Sequence, residues 1–173
     1  MAIPEGGPRA VVALGANLGR PEQALRRAAA TLARLGHVLA ASSLYRTRPV
    51  GGPPEQPHYC NAVLVLRPAP PWSTPEHLLS ALLAIEVAAG RTRRERWGPR
   101  SLDLDLITFE GEERRGRELH LPHPRASERA FVMIPLAEIW PAWRGPGGGA
   151  RAEEVAAALD ASGVEATDVP LWP

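Results

Sequence analysis

The sequence has no lysine, and all 20 of its basic residues are arginine. That inventory excludes the Walker-type Gly-x-x-x-x-Gly-Lys loop and any Schiff-base lysine, so phosphate must be held here by arginine. A single cysteine, Cys60, leaves no intramolecular disulfide and no sulfur-rich zinc site. No run approaches the roughly 18 apolar residues of a membrane span, and residues 1–8 lack the basic and apolar regions of a secretory signal. The expectation is a cytoplasmic protein with no membrane partner. A formal net charge of only +1 argues against a domain that coats nucleic acid, because such domains are strongly basic.

What is present fits one globular domain of 173 residues, 45% hydrophobic and 23% charged. Residues 10–14 form a short apolar run closed by Gly15 and a polar turn at Asn17 and Gly19, which predicts a buried strand. Leu25, Ala28, Ala29 and Leu32 recur at helical spacing and predict a helix over 21–34. A second strand is expected over 38–45, then a long Gly- and Pro-rich loop over 47–57. In a third strand, 59–66, Tyr59 and Asn61 fall on one face and Cys60 and Ala62 on the other. Ser73-Thr74-Pro75-Glu76 opens a second helix that ends at Gly90, with Leu78, Leu79, Leu82 and Ile85 as its stripe and Glu86 at the stripe's edge. Strands are expected over 102–109 and 117–121, joined by a hairpin tip at 110–112. A Pro122-His123-Pro124 turn, a short helix near 127–130, an apolar run over 131–139, a Gly-rich loop over 145–149 and a terminal helix over 151–159 complete the chain. The order strand, helix, strand, strand, helix, strand predicts a ferredoxin-like α+β domain, a mainly antiparallel sheet with helices packed on it.

In Leu102-Asp103-Leu104-Asp105-Leu106, alternation puts both carboxylates on one strand face, about 6.5 Å apart along the chain. Such a pair suits magnesium, which takes one or two protein carboxylates and completes its shell with phosphate oxygens and water. An isolated Asp-x-Asp is ordinarily a solvated face, and so is a run of charge. Here the two abut. Residues 91–100 carry five arginines immediately before the aspartates, a pattern that makes sense when a polyanion and its metal ions sit between them. His123, Arg125 and Arg129 add a second polar group near Phe131.

The segment Arg96-Trp97-Gly98-Pro99-Arg100-Ser101-Leu102-Asp103-Leu104-Asp105 resembles the signature of the 6-hydroxymethyl-7,8-dihydropterin pyrophosphokinase family of folate biosynthesis. The resemblance continues in family order over about residues 10–141. It takes in Leu14-Gly15-Ala16-Asn17-Leu18-Gly19, Ser43-Leu44-Tyr45-Arg46-Thr47, Tyr59-Cys60-Asn61-Ala62, Ile85-Glu86, Pro122-His123-Pro124-Arg125 and Arg129-Ala130-Phe131.

What the resemblance implies is pyrophosphoryl transfer from ATP to the pterin hydroxymethyl oxygen, with AMP released. It implies two magnesium ions on Asp103 and Asp105, and ATP phosphates on Arg91, Arg93, Arg100, His123 and Arg129, with Arg91 and Arg100 as the catalytic charges. It also implies a pterin stacked between Tyr59 and Phe131, hydrogen-bonded by Asn61, flanked by Thr47 and Val50, and covered by Trp97, which also contacts ATP. Glu86 is expected to pair with an arginine of the cluster. Two departures stand out: Ala16 where the family usually has Ser, and Arg48 where a smaller or neutral residue is common. The working unit is expected to be one catalytic domain, a monomer, with small-molecule partners and no nucleic acid; beyond Trp140 a C-terminal loop and helix receive no role. Two other readings remain: an RNA-binding domain that stacks bases on its sheet, and a purely structural Arg–Asp ion-pair network.

Overall fold

The computed structural model describes residues 6–52, 54–90, 99–145 and 147–172. Strand β1 (Ala10–Ala16) is wholly buried, as its uninterrupted apolar run requires. Helix α1 (Pro21–Leu32) begins with Pro21 in its first turn, where the missing N–H costs nothing. Strands β2 (Gly36–Ala41) and β3 (Ser43–Thr47) follow, then β4 (Tyr59–Pro68). Helix α2 (Pro75–Ala88) is capped by the Thr74 hydroxyl, which accepts the His77 N–H at 3.4 Å, and it leads to β5 (Asp103–Phe109).

Among the described residues these strands and a last one, β8 (Val164–Pro170), form one six-stranded sheet of order β5-β1-β4-β3-β8, with β2 also paired to β4. Every pairing in it is antiparallel. The crossover from β1 through α1 leaves a gap that β4 fills, and the crossover from β4 through α2 straddles β1. That is the split β-α-β arrangement of a ferredoxin-like fold, as the element order predicts.

Alternation along the strands divides the core in two. Val12, Leu14, Cys60, Ala62, Leu64, Leu66, Leu104 and Leu106 face α1 and α2, where Leu25, Leu32, Leu78 and Leu82 are fully buried. Each such leucine stabilises the fold by about 1.5–3 kcal/mol relative to exposure. Val11, Ala13, Val63, Val65 and Ile107 face the other way, against helix α3 (Ala130–Ile139) and the start of helix α4 (Ala152–Ala158). Burial pushes the Cys60 thiol up to about 12, with Glu22 adding to the effect, so it is packed and unreactive.

Four expectations change. The single strand over 38–45 is two strands separated at Ser42, whose Oγ accepts the Val63 N–H at 3.0 Å and donates to the Ser43 carbonyl at 2.7 Å. Ser42 thereby replaces one regular ladder position with a side chain. Of the residues expected to open α2, Glu76 takes no part in the cap, which Thr74 supplies, and pairs instead with Arg114, 2.5 Å away. The return strand expected over 117–121 shrinks to β7 (His120–Leu121), paired with β6 (Arg114–Arg115) in a ribbon apart from the main sheet. Residues 110–118 are too charged to bury a strand face. Finally, the C-terminal region is not only a loop and a helix. After α4 the chain adds β8 (Val164–Pro170) to the open edge of β3. None of its side chains is buried, and apolar and polar residues do not alternate along it, so it carries no strand signature in the sequence.

Candidate active site

The site lies on the α3 face, at the end of the sheet where β1 and β3 finish and β4 and β5 begin. Directly opposed residues of antiparallel neighbours share a face, so the register itself lays out the floor. Asp103 opposes Gly15, which opposes Asn61; Asp105 opposes Ala13; and Tyr59 opposes Thr47, which opposes Val164 of β8. One cavity of about 610 Å³ is lined by Gly15, Thr47, Val50, Tyr59, Asn61, Arg100, Asp103, Asp105, His123, Arg129 and Phe131. That volume is typical of a small-molecule site. The structure therefore brings together ten of the residues expected from the sequence, and adds Gly15. Arg91, Arg93 and Trp97 lie outside the described residues.

At the β5 end, Arg100 Nη1 donates to Asp103 Oδ1 at 2.6 Å, and Arg129 Nη1 to Asp105 Oδ2 at 3.4 Å. Burial raises the Asp105 carboxyl above the ordinary range, and the neighbouring Asp103 charge raises it further, against the opposing pull of His123, Arg129 and Arg100. Burial works against the Arg100 cation, but the charge and hydrogen bond of Asp103 outweigh it and hold Arg100 above its usual value. His123 is fixed by its own N–H, which donates to the Ile107 carbonyl at 2.8 Å. Burial lowers its pKa, Arg129 and Arg125 lower it further, and Asp105 opposes them. Arg125 N–H donates to His123 Nδ1 at 3.2 Å, which leaves Nε2 to carry the proton of the neutral ring.

At the β4 end, Asn61 Nδ2 donates to Thr47 Oγ1 at 2.6 Å, both side chains being buried. A Cβ on Gly15 would stand 2.7 Å from Asn61 Oδ1, so only glycine lets that amide lie across β1. Burial raises the Tyr59 phenol, Arg100 opposes the shift and Asp103 adds to it, so the phenol is neutral. Phe131 enters from the first turn of α3, with the Arg129 guanidinium 5.6 Å from its ring centre. Val50, 67% exposed, stands at the rim on the loop after β3.

Two supporting groups carry no expected role. Asn17 Oδ1 accepts the Arg100 N–H at 2.8 Å, while its Nδ2 donates to the Pro57 carbonyl at 3.1 Å. It thus ties the arginine-bearing segment to the loop after β3, and a buried Asn directly after an apolar strand is the signal for it. Glu138 of α3 accepts the Tyr45 hydroxyl at 2.7 Å and the Ser43 N–H at 2.9 Å, latching α3 to β3. Glu86 accepts the Leu104 N–H at 2.7 Å, which fixes β5 between the two aspartates; of the 91–100 arginines expected beside it, Arg100 pairs with Asp103 and the other four lie outside the described residues.

Among the described residues no group of three or more His, Cys, Asp or Glu encloses a cation by itself. The two-carboxylate face fits a hard cation that shares its shell with phosphate and water, and the mutual repulsion that helps raise Asp105 is what such a cation relieves. No helix among the described residues is long and apolar enough to cross a membrane.

The family model described as 7,8-dihydro-6-hydroxymethylpterin-pyrophosphokinase (HPPK) matches residues 11–141. A Synechocystis sp. protein named 2-amino-4-hydroxy-6-hydroxymethyldihydropteridine pyrophosphokinase is 42% identical over 166 residues, 95% of this chain and 79% of that protein. A Methylorubrum extorquens protein of the same name is 41% identical over 159 residues, 91% of this chain and 97% of that protein. Among solved structures, a Plasmodium falciparum HPPK-DHPS triple mutant with STZ-DHP aligns with a TM-score of 0.67 at 12% identity. That alignment covers 87% of this chain and 43% of the Plasmodium chain, so this chain spans less than half of it.

Proposed function

The chain belongs to the 7,8-dihydro-6-hydroxymethylpterin-pyrophosphokinase family, and from that membership we propose how its residues divide the work. The enzyme is a pyrophosphoryl transferase of folate biosynthesis, acting on a hydroxymethyl-dihydropterin with ATP as co-substrate. The observation that carries the division is the two-ended cavity, with the Arg-Asp-His cluster at one end and Tyr59, Asn61, Thr47 and Phe131 at the other.

At the first end Arg100, Arg129 and His123 hold the ATP phosphates, joined by Arg91 and Arg93. The ion pairs with Asp103 and Asp105 already set the two described guanidinia in place, so little side-chain freedom remains to be lost when phosphate oxygens arrive. Asp103 and Asp105 hold Mg²⁺, two ions by family resemblance, which supply charge neutralisation along the polyphosphate when bound. His123 presents Nε2–H and acts as a hydrogen-bond donor, its Nδ1 being occupied.

At the second end the pterin ring stacks between Tyr59 and Phe131, with Trp97 covering it and Val50 at its side. Asn61, its orientation fixed by Thr47, offers an amide edge that matches the lactam side of a pterin. The hydroxymethyl oxygen then attacks the β-phosphorus and AMP leaves. Acceleration comes from alignment and from Arg91 and Arg100 meeting the charge that builds on the phosphoryl oxygens. In this proposal the working unit is a monomer that acts in the cytoplasm on small-molecule substrates.

Base-stacking on the sheet finds no support, because α3 and α4 cover the face that such a domain leaves open. The test is AMP formation from ATP in the presence of Mg²⁺. Release that depends on 6-hydroxymethyl-7,8-dihydropterin is the expected result; ATP consumption indifferent to the pterin would overturn the assignment.

A further inference from the structure

The family match ends at residue 141, yet the cavity does not. Asp160, Ser162, Gly163 and Val164 line it from the C-terminal side. The segment is held there from several directions. Val164 pairs with Thr47 in the β3–β8 ladder, so its side chain shares the face of Thr47 and, one strand further, of Tyr59. Arg48 N–H donates to the Gly163 carbonyl at 2.9 Å. The Arg48 stem lies over Gly163, with its Cβ, Cγ and Cδ 3.5–3.6 Å from where a Gly163 Cβ would stand. Farther along, Thr167 Oγ1 donates to the Leu44 carbonyl at 2.7 Å, and Leu171 N–H donates to the Ser42 carbonyl at 3.1 Å. Arg48 has no hydrogen-bond or ion-pair partner for its guanidinium among the described residues, so what the structure shows it doing is packing.

We propose that residues 160–164 form the outer wall of the aromatic-substrate subsite, with Val164 setting its width and the Arg48 stem holding the wall against the loop after β3. The proposal rests on the pterin reading above and deepens it. A flat heterocycle on Tyr59 must be confined along its edge as well as on its faces, and Val164 is the apolar side chain that the Tyr59–Thr47–Val164 row supplies for that edge. Arg48 and Val164 are positioning and specificity residues. The wall meets the pterin end, since Asp103 and Asp105 on β5 are separated from β8 by three strands, β3, β4 and β1.

The experiment is steady-state kinetics of the full chain with Mg²⁺, ATP and 6-hydroxymethyl-7,8-dihydropterin, resolved into kcat and both KM values. Val164→Ala widens the wall by two methyl groups and is expected to raise the pterin KM about tenfold. The ATP KM and kcat should stay within about twofold. Val164→Phe, which intrudes on the same wall, should raise the pterin KM as well. Arg48→Ala should raise it about threefold and Arg48→Met, which keeps the stem, should not. Glu165→Ala, on the opposite strand face beside Arg46, serves as the unaffected neighbour. Pterin KM values within about twofold of wild type in Val164→Ala, Val164→Phe and Arg48→Ala, each with an unchanged melting temperature, would overturn the proposal. Failure of the underlying pterin reading shows separately, in the wild-type arm, as ATP turnover that ignores the pterin.

Discussion

Asp103 and Asp105 are each held by an arginine, at 2.6 and 3.4 Å, and each is partly exposed to the cavity. Asp103→Asn keeps the size of the side chain and removes its charge, so kcat should fall by about two orders of magnitude or more. AMP release by the purified variant checks this, with circular dichroism confirming the fold. His123 governs a different observable. Burial depresses its pKa below the ordinary 6.5, so in the window below that value the folded chain binds fewer protons than the unfolded one. Its contribution to stability is complete above pH 6.5 and is lost as pH falls toward the depressed value. Asp105, raised by burial, acts in the opposite sense: its contribution falls as pH rises from the ordinary carboxylate range through the raised value. Comparing wild type with His123→Gln removes the imidazole together with its pull on Asp105, and both changes act in the same direction. Between pH 5 and 7, the stability difference should grow with pH by at most about 1.4 kcal/mol per unit for each of the two groups and then level off. Urea midpoints at several pH values measure it, and a flat difference would exclude a depressed imidazole.

The strands do two things, and two glycines separate them. A Cβ on Gly36, in β2, would run into the Arg67 carbonyl and Pro68 of β4, which are backbone and cannot yield. A Cβ on Gly15, in β1, meets the Asn61 carbonyl oxygen, the end of a side chain that can rotate. Gly36→Ala should therefore weaken the fold, by about 1–3 kcal/mol. Gly15→Ala should cost less stability, displace the Asn61 amide from Thr47 and raise the pterin KM. Thermal unfolding of both variants beside their kinetics tests this crossing of effects. Equal melting temperatures for the two would contradict it.

For the whole molecule, anything that binds the folded chain alone must stabilise it. An ATP analogue with Mg²⁺ at about one hundred times its dissociation constant should add about 2.7 kcal/mol. The same ligands are expected to slow hydrogen exchange in residues 48–57, because that loop is tied to the phosphate end through Asn17 and to the tail through Arg48. Scanning calorimetry and exchange mass spectrometry read the two effects. Unchanged exchange in the loop with a raised melting temperature would show that occupancy stabilises the chain without closing it.

The sequence by itself determined the split β-α-β order, both core faces of β4 and β5, and the partition of Asp103 and Asp105 from the intervening leucines. The reason is local: a period of two in a strand fixes which side chains share a face before any partner is known. The missing lysines, likewise, assigned phosphate to arginine. Only the tertiary structure decided which residues meet across the sheet. Gly15 under Asn61, Asn17 between Arg100 and Pro57, and Glu138 on Tyr45 are contacts between elements distant in the chain, and residue type alone does not register them. The tail was the least legible part. Its edge strand buries no side chain and does not alternate apolar with polar residues, so hydrophobic periodicity is silent there, and its place beside Thr47 follows from the backbone hydrogen bonds that β3 had left to offer.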